Sequence, residues 1–323
     1  MSPRALVLVN PHARRLKRGR LAAEQVQAIL GRRGDVILTK DLDDVRAVLS
    51  EALQDELACI VTVGGDGALH WAMHHARAIG KERGITLPPF LPARSGTIDF
   101  VARKVGLEGS PAEILQRLAN SIEEGRELSR RSLPTLTMHF EDEAGVMHAR
   151  DGFATAIAGV GARFFEQYYA FEDPSPASIV QIIARAIAGF PFGTANATRL
   201  FKQAEAEVHI DGLRLDTPVH SALHVGSIDL DLGGVLRVFP FAGAGKLHLQ
   251  AGVLAPKAMI ASLPAIMRGG GLHGEGLVDR AGDTLEARAT GDELFRPILD
   301  GECLPACRRI SIRLGAPVDV VVV

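Results

Sequence analysis

Cys59-Ile60-Val61-Thr62-Val63-Gly64-Gly65-Asp66-Gly67-Ala68-Leu69-His70 passes from a short apolar, β-branched run, through three glycines around one aspartate, into a helical pattern. The run reads as a buried strand, and the glycines let the backbone turn sharply before the helix begins. A strand, a bare turn and a helix N-terminus in succession set exposed N–H groups and the positive end of a helix dipole in one place, which attracts phosphate oxygens. Asp66 would serve a pure anion cradle poorly. Its carboxylate makes sense if it holds Mg²⁺ or receives a proton from a hydroxyl acceptor. An ordinary tight turn is the plain alternative.

Upstream, Ala5 to Val9 reads as a strand ended by Asn10-Pro11. Leu21, Val26, Ile29 and Leu30 share a helix face that Gly31 and Gly34 close, and Val36 to Thr39 reads as a second strand. Val45, Val48, Leu49, Ala52 and Leu53 recur at helical spacing. Downstream, Phe90-Leu91-Pro92 leads to Arg94-Ser95-Gly96-Thr97 and a helix from Asp99 to Lys104. Ser110-Pro111-Ala112-Glu113 opens a further helix as a capping box, with Ile114, Leu115, Leu118 and Ile122 inward and Gly125 at its end. Strands alternating with helices predict a parallel sheet covered on both faces. Its carboxyl edge, where such folds take ligands, would carry both glycine loops. Neither loop is a dinucleotide fingerprint, because His70 stands where the third glycine belongs, and no P-loop lysine follows.

From about Leu133 the texture changes. Thr135 to Phe140, Val146 to Ala149, Ala206 to Ile210, Val219 to Val225, Val235 to Phe239, Lys246 to Leu249, Leu285 to Ala289, Ile310 to Arg313 and Val318 to Val323 read as strands. Turns such as Asp211-Gly212 separate them, and the run predicts a sandwich-like β-rich domain. One helical insertion, Ile179 to Ala188, is apolar on most of its circumference and suits either a buried helix or one against lipid. The boundaries are therefore 1–130 for an α/β domain and 131–323 for a β-rich one, with the final residues free to return to the first.

The chain has 323 residues, 47% hydrophobic and 23% charged, with a net charge of −2. A soluble globular protein fits, and a nucleic-acid partner does not, since neutralising phosphates needs a basic surface. No membrane span or signal peptide is read, which predicts a cytoplasmic protein. Cys59, Cys303 and Cys307 are expected as reduced thiols. His70 and His74 have a zinc-compatible spacing but no further ligand, so a packed or solvated helix face is expected instead. Trp71 is expected in the core. Asp151-Gly152 and Gly159-Val160-Gly161 are read as turns.

The order of these motifs resembles the diacylglycerol kinase catalytic-domain family, which includes bacterial lipid kinases. Asn10-Pro11 follows the first strand, Thr39 the second, Gly64-Gly65-Asp66-Gly67 the third and Gly96-Thr97-x-Asp99-Phe100-x-x-Arg103 the fourth, with Asp300-Gly301-Glu302 near the end. The resemblance implies a two-domain lipid kinase with ATP and Mg²⁺ in a cleft between its domains. Asn10, Thr39, Gly64, Gly65, Asp66, Gly67 and Thr97 would contact ATP or its magnesium. Glu302, with Asp300 beside it, would accept the proton of the lipid hydroxyl, and Asp66 is the competing base and the metal ligand. Arg94 and Arg103 are candidate extra cations, against a structural role for each.

The chain also departs from the family. Ala68 stands where Thr is usual and Ile98 where Asn is usual, the first loop lacks its glycine, and Phe241 to Leu247 offers no carboxylate for a second metal. Two rivals follow: a nucleotide kinase resembling NAD kinase, whose Asn-Glu and Thr-Gly-Ser-Thr-Ala motifs are missing here, and a non-catalytic nucleotide or lipid binder. For a membrane-borne substrate, Ile179 to Ile187 and Phe190-Pro191-Phe192 would supply an apolar contact and the Arg14, Arg15, Lys17, Arg18 and Arg20 cluster its cations. Such contact would be transient, at the inner membrane surface, with a homodimer left open.

Overall fold

The structure is a computed structural model that describes residues 4–11 and 22–323. The basic cluster Arg14 to Arg20 and Leu21 lie outside the described residues. The chain divides into two compact units, Met1–Leu133 with Pro317–Val323, and Pro134–Ala316.

In the first unit, strands β1 (Arg4–Val9), β2 (Gly34–Leu38), β3 (Leu57–Val63) and β4 (Phe90–Pro92) lie in the order β4-β3-β1-β2, all parallel. The returning C-terminal residues extend this sheet, Val320 pairing in parallel with Phe90. Around it run α1 (Ala23–Leu30), α2 (Leu42–Ala52), α3 (Asp66–Arg83), α4 (Phe100–Lys104) and α5 (Pro111–Glu123). β1 is buried from Ala5 to Val9 and β3 from Cys59 to Val63, as expected for strands covered on both faces. The α5 capping box forms as expected: Ser110 Oγ accepts from Glu113 N at 3.3 Å, and Glu113 Oε2 from Ser110 N at 2.6 Å. Donation from the Ser110 N–H and hydroxyl holds the Glu113 carboxyl below its usual range.

The second unit holds most of β5 (Arg130–Asp142), then β6 (Met147–Gly152), β7 (Ala154–Gly159), α6 (Val160–Tyr169), α7 (Pro176–Gly189) and α8 (Ala195–Leu200). There follow β8 (Ala204–Ile210), β9 (Leu213–Arg214), β10 (Val219–His220), β11 (Ala222–Gly226), β12 (Leu230–Leu232), β13 (Leu236–Val238), β14 (Leu247–Val253) and α9 (Pro256–Met267). The last strands are β15 (Gly276–Gly282), β16 (Thr284–Ala289), β17 (Ile298–Leu299), β18 (Glu302–Cys303) and β19 (Cys307–Val321). One antiparallel sheet runs β15-β14-β11-β7-β17-β18, and another includes β8, β16 and the first part of β19. A single core draws Ile157, Leu223 and Leu249 from the former and Val208, Leu285 and Ile310 from the latter, so this unit is a sandwich.

Several expectations change here. Ile310 to Arg313 and Val318 to Val321 belong to one strand, β19, which Val322 and Val323 follow, and Val219 to Val225 is two, β10 and β11. The single helical insertion is three helices, and α9 was not anticipated. Asp151-Gly152 closes strand β6 rather than forming a turn, and Gly159 is the residue before α6. Trp71 is half-buried, ringed by His70, His74 and His75 on α3. The three cysteines are free thiols, and burial pushes Cys59 and Cys307 up to about 12.

Candidate active site

Each parallel strand of the first unit ends at the same sheet edge, and one sequence-derived candidate follows each. After β1, Asn10 N donates to Val63 O at 3.1 Å. After β2, Thr39 is buried, and both its N–H and its hydroxyl donate to Val9 O, at 3.0 and 3.3 Å. After β3 come Gly64 and Gly65, and Asp66 and Gly67 open α3. After β4 come Arg94 to Thr97. Asn10, Thr39, Gly64, Gly65, Asp66, Gly67 and Thr97 therefore gather on one rim.

The two glycine loops touch through their backbones. A Cβ on Gly96 would fall 2.4 Å from Gly65 Cα, and one on Gly65 would fall 3.2 Å from Gly96 Cα. Ser95 N donates to Gly64 O at 3.2 Å, and Val101 N to Asp66 Oδ1 at 3.4 Å. Gly64 is as confined: a Cβ there would fall 2.4 Å from the Ala68 methyl. The rim is thus floored by bare backbone at the start of an 18-residue helix, a surface that suits phosphate oxygens.

Asp99, the residue before α4, shapes the second loop. Its φ is +52° and its Oδ1 accepts from Gly96 N at 2.9 Å. Asp tolerates the left-handed region better than most residues, the signal that could have identified it. Arg94 donates to Leu107 O at 3.0 Å and Arg103 to Ile98 O at 2.9 Å. Both guanidiniums therefore tie loops together, which favours the structural reading.

In the second unit, Asp300 and Gly301 form the two-residue turn between β17 and β18, with φ +52° and +89°. Two positive φ values mark the hairpin turn for which Asp-Gly is favoured. The buried Asp300 carboxylate accepts from Phe153 N and Ala154 N, both at 2.9 Å through Oδ1, and its Oδ2 accepts from Phe153 N at 3.1 Å. Gly152 must be glycine, since a Cβ there would meet Asp300 Oδ2 at 2.6 Å. Tyr169 Oη donates to Gly301 O at 2.6 Å, a partner that lay hidden in the sequence. Glu302, half-buried, leaves this braced turn as the first residue of β18. Cys303 is pushed up, first by burial and then by the Glu302 and Glu166 charges.

Among the described residues no group of three His, Cys, Asp or Glu side chains could hold a metal ion, which covers His70 and His74. No helix among them is long and apolar enough to cross a membrane.

Residues 4–129 match the diacylglycerol kinase catalytic domain. A Bacillus anthracis strain Sterne protein assigned as a diacylglycerol kinase aligns over 99% of this chain and 97% of its own, at 14% identity and a TM-score of 0.68. A second diacylglycerol kinase structure from that organism gives the same coverage at 13% identity and a TM-score of 0.60. Yeast NADH kinase, solved with NADH, aligns over 100% of this chain and 84% of its own at 10% identity and a TM-score of 0.50. At these identities the likeness is one of fold.

Proposed function

We propose that this chain, whose residues 4–129 carry a diacylglycerol kinase catalytic domain, transfers the γ-phosphate of ATP to a hydroxyl of diacylglycerol or a related lipid. The supporting observation is the backbone contact between the Gly64–Gly67 and Arg94–Thr97 loops beside the first turn of α3. Phosphoryl transfer asks a protein mainly for positioning and charge neutralisation. The glycines offer N–H groups to the phosphates without side chains in the way, and Asn10 and Thr39 stand at the ends of neighbouring strands for the rest of the nucleotide.

The site fits Mg²⁺ through Asp66. One carboxylate suffices, because this ion keeps most of its positions for phosphate oxygens and water. Mg²⁺ supplies neutralisation of the charge that develops on the transferred group. Glu302 is the proton acceptor in this reading. Asp300 spends its oxygens on the Phe153 and Ala154 N–H groups and so acts as the brace of the turn that presents Glu302. The reading implies work at the inner membrane surface, from the cytoplasmic side.

An assay with ATP labelled in its γ-phosphate, against total extracted lipid, tests this proposal. Expected is label in the lipid phase, lost in Asp66→Asn and in Glu302→Gln while circular dichroism and Tm hold. Label recovered in NADP, or in no acceptor, would overturn the reading, and unchanged turnover in both variants would remove the assigned roles.

A further inference from the structure

Acidic residues make up 38 of the 323 in this chain, yet none occurs between Asp173 and Glu205 or between Asp231 and Glu275. The first gap contains α7, the turn Phe190–Phe192 and α8, and the second contains β13, β14 and α9. The two gaps meet in space within the second unit. Gly233, at the tip of the β12–β13 hairpin, sits so close to α7 that a Cβ on it would lie 3.2 Å from the Pro176 ring and 3.5 Å from Ile179. At the other end of the hairpin, Gly269 lies against Arg237, 3.5 Å from Cβ position to Cδ. Phe190 meets Phe201 edge-to-face at 5.8 Å, and Phe201 packs on the Leu254, Met259 and Leu272 cluster that seats α9.

The outer side of this region is apolar. α7 buries Ile179, Ile182 and Ala186, yet its solvent face carries Val180, Ala184 and Ile187 at helical spacing. Of the two expectations, a buried helix holds for one face, and the other face is exposed. Phe192 is 83% exposed and Val180 52%, and Met267 ends α9 with more than half its surface in water. The cations here complement a negative surface. Arg185 stands over the Phe171 ring, while Arg237, Lys257 and Arg268 are exposed and form no ion pair among the described residues. Arg199 and Lys202 are already engaged, with Glu166 and Glu293.

We propose that the exposed apolar face carrying Val180, Ile187, Phe192 and Met267 docks this protein on an anionic lipid bilayer. The proposal rests on the lipid-kinase reading only in its purpose, bringing the enzyme to a membrane-borne alcohol. Exposed apolar side chains beside cations that form no ion pair among the described residues, in two stretches that contain no carboxylate of their own, suit an interfacial surface. A second copy of this chain is disfavoured as the occupant, because two such faces would oppose cation to cation.

The full chain is sedimented with vesicles of phosphatidylcholine alone and of phosphatidylcholine with phosphatidylglycerol, both without diacylglycerol. Expected is binding to the anionic vesicles that weakens at high salt. The pair Val180→Ser and Phe192→Ser should lower that partition at least about tenfold. The pair Arg185→Glu and Arg268→Glu should lower it on anionic vesicles alone. All four sites are exposed, so Tm should hold. Turnover of a short-chain diacylglycerol dispersed as monomers should be unchanged in both pairs. Vesicle binding without turnover of that soluble lipid by the wild type leaves the docking face standing and removes the kinase reading. No binding to anionic vesicles, binding indifferent to both pairs, or a solution dimer that the serine pair dissolves would overturn the docking proposal.

Discussion

Gly65 and Gly96 touch so closely that a methyl group on Gly96 would lie 2.4 Å from Gly65 Cα and 2.7 Å from Asp99 Oδ1. Neither neighbour can retreat easily: one is backbone at the start of α3, and the other is held by its own bond to Gly96 N. The loops that follow β3 and β4 are therefore one surface, and what disturbs one displaces the other.

The same tightness at Gly64 is testable through size exchange. Gly64→Ala sets two methyl carbons 2.4 Å apart and should cost about 1–3 kcal/mol in denaturant unfolding. Adding Ala68→Gly removes the clash, leaving chiefly the ~1 kcal/mol that glycine costs inside a helix. A double variant no more stable than the single would show that the contact is not the cause.

Asp300→Ala strips two buried N–H groups, at Phe153 and Ala154, of their acceptor. Each unsatisfied buried donor costs about 1–3 kcal/mol, so a drop in Tm of several degrees is expected together with lost turnover. Asp300→Asn keeps one acceptor oxygen and should recover most of the stability. If Asp300→Asn is fully stable yet inactive, its carboxylate takes part in the chemistry and is more than a brace.

Acid should loosen the second unit through its histidines. His224 receives the Gly161 N–H on Nε2 at 3.0 Å and so must donate from Nδ1 to Gln250 Oε1, also at 3.0 Å. Burial lowers its pKa below the ordinary 6.5, against the pull of Gln250 and Asp279, and burial lowers that of His220 likewise, against its Ala206 bond. Unfolded, both take up protons near pH 6.5, whereas the folded forms do so only at lower pH. Stability is thus full above that pH and declines below it, by at most about 1.4 kcal/mol per pH unit for each histidine, until the folded form also takes up its proton. Thermal melts from pH 8 to pH 5 should show the decline beginning near 6.5, with a shallower slope in His224→Gln. Equal slopes would exclude His224 as a source.

Much of this was legible in the sequence where the cause is local. The β3 run, the glycines that end it and the Ser110 capping box each carry their reason within a few residues. Ala154–Gly159 was missed because its small side chains show no alternation, and its partners β11 and β17 are distant in sequence. Of the three helices after it only α7 was read; α6 was hidden because Gly159-Val160-Gly161 reads as a turn, whereas Gly159, at φ +73°, is the residue that precedes a helix. For the site, residue types at strand ends were readable, but their contacts were not. Asp300 grips Phe153 across 147 positions, and Gly65 meets Gly96 only because β3 and β4 are neighbours.

Calorimetric titration of the chain with ATP in the presence of Mg²⁺, wild type beside Gly96→Ala, tests the joined loops most directly. Saturable binding is expected for the wild type, and binding at least about tenfold weaker for the folded Gly96→Ala protein, since that methyl group would push Gly65 and the backbone N–H groups beside it out of place. A wild type that takes up no ATP, or a Gly96→Ala protein that binds it equally well, would contradict a nucleotide site built on Gly65 and Gly96.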